Sequence, residues 1–464
     1  MMRRMKMKPR RKTLILAILI LIAALGLAAC APAATAVATQ PPLATEAPTQ
    51  PAEEPTQPPP APEATATGAP PAAQPVALTF WNNWDNVNME VMNDLVARFN
   101  ADHPDIQVES VFQPYTDMMT LLQTAIAGGQ VPDLAAVDLI FLPQLVETGG
   151  VEPLDSYIAA DPDINVDDIY PRLAQYDIIG GQRFALPVST NNMQVIWNKD
   201  LFASAGLDAE TPPMSWEEMQ AMAAECQDLD NGVVGFEYYT QPVGEGITWQ
   251  FQVWLWAAGG EFLNADNTAA AFNTPEGLQA LTYVSDMLQG NGSQPGPWGL
   301  FGEQKACMQL DGSWLFGYRQ DAPFDWDIAL VPAPEGGTSA TNVGGEHIFL
   351  FSGSPNKEAA WEFIRYITSP EVQLEWDQRT GFLPVRQSVA ENPDYLQWIN
   401  ETEPRMLPFV EGMAYAHTRP ATPKYNEVSN AFSTEIQTAL LGEATPEEAL
   451  AAAEAAVNEI LQQP

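Results

Sequence analysis

"ALTFWNNWDN", Ala77 to Asn86, begins as an apolar run and ends in two tryptophans, three asparagines and an aspartate. A strand that runs only into core has no use for such a tip. Read outward, "VALTFW", Val76 to Trp81, predicts a buried strand. Asn88 can cap the helix that follows, with Met89, Met92, Leu95, Val96 and Phe99 at helical spacing. "IQVESVF", Ile106 to Phe112, alternates as a second strand should. A second helix is expected from about Thr116 to the glycine pair Gly128–Gly129, and "DLAAVD", Asp133 to Asp138, reads as a third strand. The order β-α-β-α-β predicts an α/β fold with a parallel sheet and right-handed crossovers.

Ligands of open parallel sheets sit beyond the carboxyl ends of the strands. Those ends carry Trp81, Asn83, Trp84 and Asp85, then Tyr115, then Asp138. Indole faces pack on the C–H faces of sugar rings, and Asn and Asp exchange hydrogen bonds with hydroxyls. Trp81 or Trp84 can equally plug the end of the sheet.

The second half begins with "RFALPVSTNNMQVIWNKDLFASAGLD" at Arg183. "PMSWEEM", "FNTPEGLQAL", "ACMQLDGSW", "VGGEHIFLFSGSPNKEAAWEFIRYITSPEVQ" and "TGFLPVR" follow. This succession resembles an extracellular solute-binding protein of an ABC importer, of the maltose-binding-like family 1, over essentially all of 76–464. The resemblance implies a two-lobed periplasmic-binding-protein fold. Each lobe is expected to be a mostly parallel sheet flanked by helices, with a ligand cleft at the hinge. "LPVST" would be the first crossover, and "GGEHIFLF", Gly344 to Phe351, a strand returning to the first lobe. Ala360, Phe363, Ile364 and Ile367 should face inward on the next helix. The chain closes on a helix whose N-cap is Thr445, with Pro446 at its first position and Glu448 completing a capping box. The lobes are expected at 76–188 with 345–385, and at 189–344 with 386–464.

The same resemblance implies site residues. Trp249 stands ten residues before Gly259, where the family carries a sugar-stacking aromatic, while Trp254 and Trp256 are expected in the core. "DGSW" implies Trp314 as a second stacking surface and Asp311 as a hydroxyl acceptor. Gly344 and Gly345 would admit the ligand close to the backbone. Tyr425 would bring an aromatic back to the cleft, and Arg419 beside it would suit an anionic ligand. Asn191 lies at the crossover; its role, and that of His347, is left open by the pattern.

The N-terminus speaks to location. Seven Lys/Arg in the first twelve residues precede an apolar run ending "LAAC". This is the layout of a secretory signal peptide, residues 1–30, and the ending resembles a bacterial lipobox with Cys30 lipidated. An uncleaved apolar anchor is the alternative. Residues 31–75 contain no aromatic residue, Lys or Arg and are rich in Pro, Ala and Thr. Such a segment cannot bury enough apolar surface to order itself, so a semi-stiff disordered tether is expected. The protein is thus expected at the extracytoplasmic face of the cell membrane, held only through its N-terminal lipid.

Without the signal, 13 basic residues face 59 acidic ones, a net charge of −46. Nucleic-acid binding through phosphate contacts is excluded on that balance. Cys226 and Cys307 can pair outside the cytoplasm or stay separately buried; separate burial is the expectation. His103, His347 and His417 are far apart, and no metal or other cofactor is expected. The reading is a monomeric, non-enzymatic receptor for a mono- or oligosaccharide, passed to ABC permease subunits. Glycerol phosphate, a glycerophosphodiester or a polyamine are alternative ligands. A sensory ligand presenter and a secreted glycoside hydrolase are the alternatives of another class, the latter lacking a motif that places two opposed carboxylates.

Overall fold

A computed structural model describes residues 74–290, 296, 298–319 and 322–463. Cys30, the signal peptide and nearly all of the expected tether lie outside them.

Strand β1 (Val76–Asn82) pairs in parallel with β2 (Ile106–Phe112) and β3 (Leu134–Asp138), as the β-α-β-α-β pattern required. The first helix, Asn86–Asp102, starts three residues earlier than expected. Asp85 is its N-cap, and Asn88 is buried within it. Met92, Leu95, Val96 and Phe99 form its inner stripe. The second helix, Tyr115–Gly128, ends on Gly129 at φ +64°, a left-handed cap that glycine adopts without strain.

A short hairpin, β4 (Ile178–Ile179) and β5 (Gln182–Arg183), precedes β6 (Leu186–Pro187). The chain then crosses to a second sheet of β7 (Met193–Asn198), β8 (Val234–Glu237), β9 (Ala306–Gly312) and β10 (Trp326–Ala329), in the order β10-β7-β9-β8. After β11 (Thr341–Val343) it returns as β12 (Glu346–Leu350). β12 pairs antiparallel with β3 and β6 and completes the first sheet, β2-β1-β3-β12-β6. β13 (Ala416–Thr418) pairs with β11 beside the crossings. Both sheets are mixed; in the second only β8–β9 is parallel.

The returning strand is followed by helix Lys357–Ile367, and Ala360, Phe363, Ile364 and Ile367 are its buried face. The last helix, Pro446–Leu461, carries the full Thr445–Glu448 capping box. Trp254 and Trp256 are core, at 0 % and 6 % exposure. Cys226 and Cys307 are not separate. They form a disulfide between the end of helix Trp216–Cys226 and β9, with Cα atoms 6.3 Å apart. Strand and helix bring the two thiols together from 81 residues apart, a distance that sequence spacing does not encode.

Three segments run side by side between the sheets: 188–192, 344–345 and the stretch about Leu383. Asn191 exchanges backbone hydrogen bonds with Gly344, and the Leu383 N–H donates to the Thr190 carbonyl. The two lobes therefore share a multi-stranded hinge.

Candidate functional site

A cleft of about 600 Å³ lies at the carboxyl ends of the first sheet's strands and runs under the second. Asn83, Asp85, Tyr115, Asp138 and Glu346 line it from the first sheet and its connections; Tyr239, Glu245, Trp249, Trp298 and Trp314 line it from the other side.

Trp249 is in the first turns of helix Glu245–Ala257, and Trp314 follows β9 in a tight 3-10 turn. Their rings stack with centroids 5.2 Å apart at 25°. Gly312 makes this possible: a Cβ there would lie 2.0 Å from the Trp314 ring. The "DGSW" glycine thus lets the indole fold back over the strand end. Trp298 approaches Trp314 at 6.4 Å and meets Tyr239 edge-on at 5.4 Å, so four aromatics make one wall.

Charge lies beneath the wall. Arg419 is 1 % exposed. Its Nη2 donates to Asp138 Oδ1 at 2.6 Å, and its Nη1 to Asp138 Oδ2 at 3.1 Å and Glu245 Oε1 at 2.9 Å. Its guanidinium sits 5.0 Å from the Trp249 centroid, a cation–π contact under the stacking ring. Tyr115 donates to Asp138, while Tyr425 and Ser429 donate to Glu245. Burial pushes the Glu245 carboxyl above its ordinary range despite Arg419.

A third carboxylate, Glu346, is the first residue of β12. It accepts from the Ser189 hydroxyl and, at 3.2 Å, from Asn83 Nδ2. Burial raises its pKa as well. With its amide nitrogen so engaged, Asn83 keeps a buried Oδ1 without a partner. Asn191 Oδ1, Trp249 Nε1 and Trp298 Nε1 are also buried and unpartnered. Buried polar atoms are ordinarily satisfied, so a cluster of orphans along one cleft marks where a hydrogen-bonding ligand fits.

Of the residues named from the sequence, Asn83, Asp85, Tyr115, Asp138, Asn191, Trp249 and Trp314 line the cleft, and Gly345 touches it. The structure places the rest differently. Trp81, at the strand tip, packs against the larger apolar core and does not line the cleft. Trp84 touches the cleft but is 2 % exposed, its ring edge-on to Trp376 at 4.9 Å; it plugs the end of the sheet. Asp311 is buried in β9, occupied by Gln309 Nε2 and the Gly312 N–H, with burial pushing its carboxyl up to about 7. Gly344 makes room for Asn191 and the Trp249 ring, which an added Cβ would meet at 2.5 Å and 2.9 Å. Gly345, at φ +130°, would place a Cβ 2.2 Å from the Ser189 carbonyl, so it serves the hinge. Tyr425 lies below the lining, donating to Glu245, and Arg419 is paired through both terminal nitrogens with Asp138 and Glu245, its Nε alone left without a partner.

Sequence reasoning missed Glu245, Glu346, Tyr239 and Trp298. "GEG" opens the Trp249 helix, and its second glycine, Gly246, is where the Tyr239 ring packs against backbone. Glu346 stood inside the quoted "GGEHIFLF". Nothing local marked Trp298.

Two lobes hinged about a cleft walled by indoles and floored by carboxylates define a solute receptor. The model of the bacterial extracellular solute-binding protein family matches residues 83–374, and the chain belongs to that family. The cyclic α-maltosyl-1,6-maltose binding protein from Arthrobacter globiformis is 42 % identical with a TM-score of 0.74, over 84 % of this chain and 99 % of that one. An ABC substrate-binding protein from Listeria monocytogenes, solved in complex with cycloalternan, is 27 % identical with a TM-score of 0.76, over 84 % and 100 %. The sn-glycerol-3-phosphate-binding periplasmic protein of Pectobacterium atrosepticum is 23 % identical over 429 residues, covering 83 % and 91 %.

Proposed function

We propose that this protein captures an oligosaccharide, or a single sugar, outside the cytoplasm by closing its lobes, and delivers it to the permease of an ABC importer. The observation that carries this reading is the composition of the cleft. Aromatic faces accompany orphaned amide and indole atoms, and among the described residues the lining carries carboxylates but no Lys or Arg. Aromatic faces with hydroxyl acceptors suit a neutral polyol. The likeness to a cyclic α-maltosyl-1,6-maltose binding protein and to a substrate-binding protein solved with cycloalternan supports the same class. An anionic glycerol phosphate is disfavoured, since Arg419, the cation beside the cleft among the described residues, is already paired with Asp138 and Glu245.

A polyamine is the second reading, favoured by the carboxylates Asp85, Asp138, Glu245 and Glu346 along the lining. The protein acts as a binder and not an enzyme, a monomer with lobes at 76–188 with 345–385 and 189–344 with 386–464. It is held to the membrane by lipid on Cys30. Sensing rather than import would use the same cleft.

Calorimetry of the mature chain with cyclic maltosyl-maltose, maltotriose and spermidine tests the reading. Trp249→Ala and Trp314→Ala should each weaken sugar binding by roughly 1–3 kcal/mol, the usual worth of an aromatic anchor. That is about tenfold to a hundredfold. Sugar should also raise the melting temperature and shrink the scattering radius. Heat released only with spermidine would replace sugar by polyamine.

A further inference from the structure

We propose that Trp298 is a ligand-stacking residue of the cleft and that the buried Glu237 carboxylate is the group that positions it. The inference rests on the carbohydrate reading and extends its binding surface by one ring.

Glu237 ends β8 and is 2 % exposed. Its Oε1 accepts the N–H of Gly299 at 2.6 Å and of Leu300 at 2.8 Å; its Oε2 accepts the N–H of Phe301 at 2.8 Å. These are three consecutive backbone donors, and they begin at the residue after Trp298. On the other side, the Thr240 N–H donates to the Gly296 carbonyl at 3.0 Å, and Thr240 Oγ1 accepts from the Gly296 N–H at 2.8 Å. The backbone is thus pinned before and after Trp298 to one strand end. Phe301, fully buried, anchors the far side in the core.

Charge-assisted bonds to backbone N–H groups are short and about twice as strong as neutral ones. A buried carboxylate spanning three of them leaves the loop little freedom. What this fixes is an indole that lines the cleft with its Nε1 buried and unpartnered. Its ring continues the Trp249–Trp314 stack toward Tyr239. A wall lengthened in this way suits a ligand of more than one sugar unit. Glu237 itself is not among the lining residues, so it acts through Trp298 and is a positioning residue.

The test titrates the mature chain with cyclic maltosyl-maltose and with maltose by calorimetry. The variants are Trp249→Ala, Trp298→Ala, Glu237→Gln and the Glu237→Gln/Trp298→Ala pair. Trp298→Ala should weaken the cyclic tetrasaccharide about tenfold and maltose less. Glu237→Gln should weaken it comparably. The double variant should lose no more than Trp298→Ala alone, because the carboxylate acts through that ring. If Glu237→Gln does not fold, Glu237→Asp keeps the charge, shortens the reach and carries the same expectation. Unchanged affinity in Trp298→Ala, with Trp249→Ala weakened, overturns the inference alone. Losses that add in the double variant overturn the positioning role. A parent chain that binds neither sugar overturns the carbohydrate reading and the inference with it.

Discussion

Arg419→Met should destabilise the protein strongly at pH 8 and much less at pH 5. Arg419 makes three charge-assisted hydrogen bonds to two carboxylates and supports the Trp249 ring, all out of water. Methionine fills similar space but leaves Asp138 and Glu245 buried without their counter-charge. Removing one partner of a buried ion pair costs about 3–5 kcal/mol. With an unfolding entropy of about 2.1 cal/mol/K per residue, a body this long loses roughly 1 °C per kcal/mol, or about 4–6 °C in all.

The pH sign follows from proton counting. Glu245 already holds its proton more tightly than in the unfolded chain, and losing Arg419 strengthens that tendency. In the variant the folded state binds more protons than the unfolded one above the ordinary carboxylate range. Stability therefore falls as pH rises through that window, and acidification restores part of it. Arg419→Lys keeps the charge but cannot span both carboxylates with a planar fork, and should fall between the two. Denaturant melts of parent, Met and Lys variants at pH 5 and pH 8 make the measurement. A loss under about 1 kcal/mol, or one equal at both pH values, would refute the floor network.

Reducing the Cys226–Cys307 disulfide, or replacing both cysteines by alanine, should cost up to about 4.5 kcal/mol for a closed loop of this length, read from denaturant midpoints; no change would mean that the bond adds nothing to stability. Asp377 is fully buried, and both carboxylate oxygens lack a hydrogen-bond partner among the described residues. Desolvation raises its pKa, so the native state binds a proton that the unfolded chain releases above about pH 4, and stability falls as pH rises through that window. Asp377→Asn should therefore raise the melting temperature at pH 8 and have little effect near pH 4; a loss at pH 8 contradicts the unpaired carboxyl. Cys30→Ala should move the protein from the membrane to the soluble fraction of a bacterial host, and firm retention would favour an uncleaved anchor.

Much of the fold was legible because its signals are local. The inner stripe of helix Asn86–Asp102 and the capping box at Thr445 are readable within a few turns of chain. The returning strand at Glu346–Leu350 was legible from its run of apolar residues, although its antiparallel pairing with β3 was not. Trp249 and Trp314 were legible through the family resemblance, the first by standing ten residues before Gly259 and the second by its place in "DGSW".

Other assignments depended on contacts that spacing cannot encode. Trp81 and Trp84 share one strand tip and one composition. Yet Trp81 faces the larger core, while Trp84 is closed off by Trp376. Arg419 reads as a free cation until the fold brings it to Asp138, 281 residues away, and to Glu245, 174 away. Glu237 reads as one more acid in an acidic chain until three backbone N–H groups converge on it. Periodicity and capping act over a few residues, so the chain alone announced the opening strands and helices and the closing helix, while the two lobes and their hinge were implied by the family resemblance. Only the tertiary structure decided which charges are neutralised and which rings face the cleft, because burial belongs to the assembled core.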